Sequence, residues 1–137
     1  MSSFKPAEGG CLCGRVRYRI TEAAITADLC HCEQCRKQAG APYIAWIAVR
    51  PEHLVWLKGK PAKFESSKGH FRHFCRDCGT PLVMTGGAEP DKVGVTVGSL
   101  DEPDRFPPKA EGWVSRRLAW LHPLPGLAQH ERDNPEF

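Results

Sequence analysis

The 137-residue sequence has no apolar run near the ~18 residues that a membrane-spanning helix needs, so a helical membrane protein is excluded. It has no block of five or six like charges either. Its 19 lysines and arginines are interspersed with 16 carboxylates, for a net charge of +3. Nucleic-acid binders carry a concentrated basic face, so no nucleic-acid partner is expected. The opening MSSFKPAEGG lacks the basic and apolar regions of a secretory signal, and a cytoplasmic protein is expected. Nothing repeats at a fixed period. The cysteines lack an even count: there are seven, which cannot all pair. In a compartment that keeps thiols reduced, such a set reads as metal ligands rather than disulfides.

What is present is mostly strand signal. GRVRYRI (14–20) alternates, with Val16, Tyr18 and Ile20 on one face and Arg15, Arg17 and Arg19 on the other. YIAWIAV (43–49), HLVWL (53–57), HFRHF (70–74) and KVGVTVGSL (92–100) also read as strands. Turn signals at KGKP, SSKG, TGG and AEPD divide them. CEQCRKQA (32–39) reads as a short helix ending near Gly40, and WVSRRLAWL (113–121) as a strand or short helix. The expected fold is mainly β, with at most short helical turns. A single domain is expected over 1–127, with a polar, mobile tail over 128–137. Trp46, Trp56, Trp113 and Trp120 are expected in the core.

The cysteines divide by spacing. Cys11 and Cys13, two apart at the head of a strand, leave the same face. Cys75 and Cys78 form a C-x-x-C turn followed by Gly79, taken to leave room for backbone amides. Together they make a four-thiolate tetrahedron, the closed geometry of structural zinc. By analogy with disulfide loop closure, a ring of ~65 residues would remove roughly 4 kcal/mol of unfolded-state entropy. A redox dithiol at Cys75 and Cys78 has no thioredoxin-like βαβ pattern around it.

Cys30, Cys32 and Cys35 remain, in C-x-C-x-x-C spacing, and they can converge on a second metal. A fourth ligand from His53, His70 or His73 would close the site. His31 would point the opposite way on a strand. Without a fourth ligand the position stays open, as in catalytic zinc sites. Arg36 and Lys37 are candidate clamps for substrate carboxylates, or simply a solvated helix face.

These residues resemble the glutathione-dependent formaldehyde-activating enzymes, a family that shares its domain with centromere protein V. The resemblance runs through GGCLCGRVRY, CHCEQCRKQAGAP, FESSKGHFRHFCRDCGTPL, PDKVGVTVGSLDEP and WVSRRLAWL, over about residues 9 to 121. It implies a β-tent of antiparallel sheets pinned by two zincs per chain. One is structural, on Cys11, Cys13, Cys75 and Cys78; one is catalytic, on Cys30, Cys32 and Cys35. It further implies a carbon–sulfur lyase or synthase that adds a small thiol such as glutathione to formaldehyde. Ser66, Ser67 and Arg72 match the family pattern without a role that spacing assigns. The chain departs from the pattern at AEGW, where Glu111 and Gly112 precede Trp113 in place of a histidine and an apolar residue.

Two other readings stand beside the enzyme. One is a non-catalytic zinc module that binds a protein partner. The other is a thiol sensor in which Arg36 and Lys37 lower the pKa of metal-free Cys30, Cys32 and Cys35. A homodimer would suit exposed strand edges, and no sequence feature decides it.

Overall fold

The computed structural model describes residues 3–87 and 91–137. The turn signal at AEPD falls mostly on 88–90, outside the described residues. Among the described residues eleven strands form two sheets, accompanied by one α-helix. The small sheet holds β1 (Ala7–Gly10), β2 (Arg17–Ile20) and β5 (Leu54–Lys58), paired antiparallel in that order.

The large sheet contains β3 (Thr26–Cys30), β4 (Ile44–Val49), β6 (Ala62–Ser67), β7 (His70–Phe74), β8 (Pro81–Gly86), β9 (Val93–Thr96), β10 (Ala110–Gly112) and β11 (Ala128–Gln129). Their order across it is β11-β10-β3-β4-β9-β8-β7-β6. The expectation of antiparallel sheets is corrected at one edge. There β10 runs parallel to both β3 and β11, and the sheet is mixed. No helix among the described residues is long and apolar enough to cross a membrane.

Strands β2, β4, β5, β7 and β9 form at the anticipated segments but are shorter at two of them: 14–16 belongs to the turn before β2, and Val97–Ser99, expected as strand, is a 3₁₀ turn. Val16, Tyr18 and Ile20 all turn inward as the alternation requires. The segment 113–121 forms neither a strand nor a full helix: one 3₁₀ turn, Val114–Arg116, is followed by irregular backbone. The tail expected over 128–137 is instead part of the fold. Residues 128–129 add a strand, Trp113 N donates to Arg132 O (2.8 Å), and Asn134 is buried. Its polarity misled because backbone groups, rather than apolar side chains, hold most of it in place.

Strand β4 is buried on both faces and divides the interior. Ile47 and Val49 join the larger core with Tyr18, Ile20, Leu82 and Val95. Ile44 and Trp46 point the other way, into a smaller cluster with Cys35, Met84 and Phe137. Of the tryptophans only Trp46 is a core residue. Trp56 is 38% and Trp120 67% exposed, because β5 lies at a sheet edge and 117–124 runs over the surface.

Candidate metal centres and their cleft

Cys11, Cys75 and Cys78 pack with the larger apolar cluster and Cys30, Cys32 and Cys35 with the smaller, while Cys13 is exposed. Within each set all sulfurs lie within 4.8 Å of one another.

The four-sulfur group ties the two sheets. Cys11 and Cys13 sit in the turn between β1 and β2, and Cys75 and Cys78 in the turn between β7 and β8. Cys11 Sγ is 3.5 Å from Cys13 Sγ, which is 3.7 Å from Cys75 Sγ. Backbone N–H groups of Val16 and Asp77 donate to the sulfurs of Cys11 and Cys75 (3.3 and 3.4 Å). The Thr80 hydroxyl, 3.3 Å from Cys78 Sγ, leads the effects that pull that thiol down to about 5. Gly79 has φ +82° and open space where a Cβ would stand. Its role is therefore the left-handed turn, and not the room for amides expected from the sequence.

The three-sulfur group lies at the junction of β3 and α1 (Glu33–Ala39). Cys30 ends the strand. Cys32 is the helix N-cap, its Sγ accepting from Cys35 N at 3.4 Å, and Cys35 is buried within the first turn. A sulfur performs the capping that a Ser or Asp oxygen usually does. Gly40 closes the helix at φ 61°, in the left-handed C-cap conformation. Hydrogen bonds from Cys30 and Cys35 hold the Cys32 thiol well below its usual range.

Among the described residues no histidine joins this group. His31 turns to the opposite side, as its strand position required. There its Nε2 donates to Glu111 Oε1 (2.8 Å), with both residues 1% exposed. His73 is engaged with Thr85 Oγ1 at 2.9 Å. His53 belongs to the turn before β5. His70 lines a cleft of about 430 Å³ together with Cys30, Trp46, Met84 and Phe137.

The cation at the sulfurs is Arg72, to which no role had been given. Arg72 is 3% exposed, and both its Nη atoms donate to Cys35 Sγ at 3.5 Å. Nη1 also reaches Gln38 Oε1 (3.0 Å), and Nε donates to Ser66 Oγ (3.3 Å). No carboxylate pairs with it among the described residues. An inward-facing arginine on an otherwise polar-looking strand was the available signal. Neither Arg36 nor Lys37 lines the cleft. The Lys37 side chain is 70% exposed and pairs with Glu33 at 3.5 Å, so the solvated-face reading holds for it.

Glu111 and Gly112, singled out in the sequence at AEGW, both have a structural role. Glu111 collects Leu124 N (2.9 Å), Gln129 Nε2 (3.0 Å) and Arg117 Nη2 (3.3 Å) besides His31. Burial opposes its charge, but these bonds, led by Gln129 and His31, leave its pKa below the ordinary value. Gly112 stands opposite Cys30 in the β10–β3 register and lines the cleft. Next to it, Trp113 has φ 54° and ψ 41°. It is the one non-glycine residue with positive φ among those described, a conformation costing on the order of 1–3 kcal/mol. Its indole N–H donates to Asp133 Oδ1 at 2.8 Å.

A crystal structure of a Rhodobacter sphaeroides protein matches this fold with a TM-score of 0.58. The match covers 90% of this chain and 98% of that one at 19% identity. An uncharacterized lyase of Schizosaccharomyces pombe is 32% identical over 85 residues, which is 61% of each chain. The match therefore spans about three fifths of that relative's length. The family model for the glutathione-dependent formaldehyde-activating enzymes matches residues 6–116, a span that contains all seven cysteines, Arg72 and Glu111. The chain belongs to that family.

Proposed function

We propose that this protein is a zinc-dependent carbon–sulfur lyase or synthase acting on a small thiol and an aldehyde, similar to S-(hydroxymethyl)glutathione synthase. The observation that carries the reading is a three-sulfur cluster bordering a cleft, with a buried arginine as its counter-charge.

The donor sets suit zinc. With Zn–S bonds of about 2.3 Å, a sulfur tetrahedron has edges near ~3.8 Å. The separations of 3.5 and 3.7 Å in the four-sulfur group are close to that. At the second group, three thiolates around a divalent ion leave one net negative charge. Arg72 offsets it without a carboxylate, and a buried guanidinium facing neutral thiols would be hard to account for. Zinc held by Cys30, Cys32 and Cys35 would supply a soft position that keeps a substrate thiol ionised near neutral pH.

The chain's own residues do the rest. Trp46, Met84 and Phe137 wall the cleft and limit water at the sulfurs. Arg72 holds Cys35 in place and is itself held by Ser66 and Gln38. A closed interaction module would need a fourth protein ligand at this group, and the described residues provide none. The relative named as a lyase supports an enzyme over a binding module.

Zinc per chain by elemental analysis, before and after dialysis against a weak chelator, tests the metal content. Two zincs are expected, with the one at Cys30, Cys32 and Cys35 leaving first. Arg72→Met should weaken retention of that zinc by about 10- to 100-fold and spare the other. Exchange between thiol, formaldehyde and hemithioacetal, followed by NMR, tests the reaction. Exchange no faster than in buffer would refute the enzymatic reading.

A further inference from the structure

The C-terminal segment reaches across the cleft beside the sulfurs. Trp113 N donates to Arg132 O and the Trp113 indole N–H to Asp133 Oδ1, both at 2.8 Å, which moors the segment beside β10. From there residues 134–137 form a turn. Glu136 N donates to Asn134 Oδ1 (3.1 Å) and Phe137 N to Asn134 O (3.0 Å). Lys92 Nζ holds the same turn from the β9 side, donating to Glu136 O at 3.3 Å. This segment lies beyond residue 116, where the family match ends.

The turn aims the Phe137 ring at the sheet. A Cβ on Gly94 would meet Trp46 Cε3 at 3.1 Å, closer than side chains ordinarily pack, and Phe137 Cζ and Cε1 at 3.4 and 3.5 Å. The far end of the Phe137 ring therefore rests on the backbone of β9, and no substrate atom fits beneath it. Arg72, Met84 and Gly94 are successive partners across β7, β8 and β9, so the ring stands on the row that leads away from Arg72. It packs against the small cluster of Trp46 and the three cysteines, and is half-buried, one side open to the cleft. A ring standing end-on to the floor and braced by hydrogen bonds is a partition rather than a stacking surface.

We infer that Phe137 is a specificity-determining residue: it partitions the cleft and limits the bulk of the group that the substrate thiol carries. The inference rests on the reading above, in which the substrate sulfur goes to the three-cysteine metal. Thiols whose chain is slender next to the sulfur fit alongside the ring. A thiol with an aryl group two carbons from its sulfur meets the ring, and gains an apolar seat when the ring is removed.

The test is equilibrium binding of ethanethiol and 2-phenylethanethiol to the zinc-loaded full chain, by calorimetry. Wild type is compared with Phe137→Ala and, independently, Phe137→Leu. The ratio of variant to wild type for each thiol cancels the thiols' own acidities and any general effect of water at the sulfurs. Phe137→Ala should improve the affinity for 2-phenylethanethiol, relative to that for ethanethiol, by about tenfold, as expected for burying much of an aryl group. Phe137→Leu, of intermediate bulk, should give a smaller gain, and it serves alone if the alanine variant does not fold. Equal factors for the two thiols would overturn the inference while leaving the thiol at the metal. A selective loss of 2-phenylethanethiol would also overturn it, by showing that the ring attracts an aryl group instead of excluding it. Binding of neither thiol by wild type would remove both readings together.

Discussion

Glu111 is the residue whose surroundings in the structure say most about why it is there. Its carboxylate, 1% exposed, accepts from His31, Leu124 N and Gln129 and faces Arg117. It thus pins β3, β10 and the irregular segment after Trp113 to one point. Truncating one member of such a buried network leaves the others unpaired, at a cost of about 3–5 kcal/mol. Glu111→Ala should lower stability by that order in urea unfolding, and Glu111→Gln, which keeps an acceptor, by less. A loss below about 1 kcal/mol for the alanine variant would mean that solvent replaces the carboxylate. Sequence spacing placed His31 away from the cysteines. It could not supply the partner, because Glu111 is 80 residues distant and reaches His31 only through the parallel β3–β10 pairing.

At the scale of the element, alternation was a sound guide where one face is buried, as in β2, and composition where both are, as in β4. The strands missed are those whose pattern lacks either cue. β6 reads AKFESS and is largely exposed; β10 is three residues long; β8 begins at a proline. The helix was legible because Gly40 stops it, although the capping sulfur of Cys32 has no usual sequence signature. The joint between the sheets was not legible. Tyr18 donates to Ser99 Oγ at 2.7 Å, Ser99 Oγ donates to Thr96 O at 2.9 Å, and Thr96 Oγ1 donates to Pro81 O at 2.8 Å. Gly9 makes room for this chain. A Cβ there would stand 2.6 Å from Ser99 O and 2.5 Å from the Tyr18 hydroxyl. Gly9→Ala should therefore cost about 1–3 kcal/mol as overpacking. The hydrogen exchange of β1 and β2 should rise with it. Unchanged protection in both strands would show that the backbone absorbs the methyl group.

Over the whole molecule the two cysteine sets differ in what they close. The four-plus-three division was readable from spacing, and the sulfurs gather accordingly. The cleft was not readable, because its walls come from β4, β8, β10 and a C-terminal segment that has no apolar pattern. The four-sulfur group joins residue 11 to residue 78 and one sheet to the other, whereas the three-sulfur group spans only 30 to 35. If bound metal acts as a cross-link, loop-closure arithmetic gives about 4 kcal/mol for the long ring and about 2 kcal/mol for the short one. Cys75 and Cys35 are both almost fully buried, and serine in either place keeps an oxygen that still accepts, from Asp77 N at 75 and from Arg72 at 35, so most of the difference reports the cross-link. Cys75→Ser should lose about 2 kcal/mol more than Cys35→Ser in urea titrations of the zinc-loaded protein. Cys35→Ser should keep a cooperative transition while losing thiol binding. Equal losses would place the stabilising metal at both sites alike and remove the division between a structural and a reactive centre.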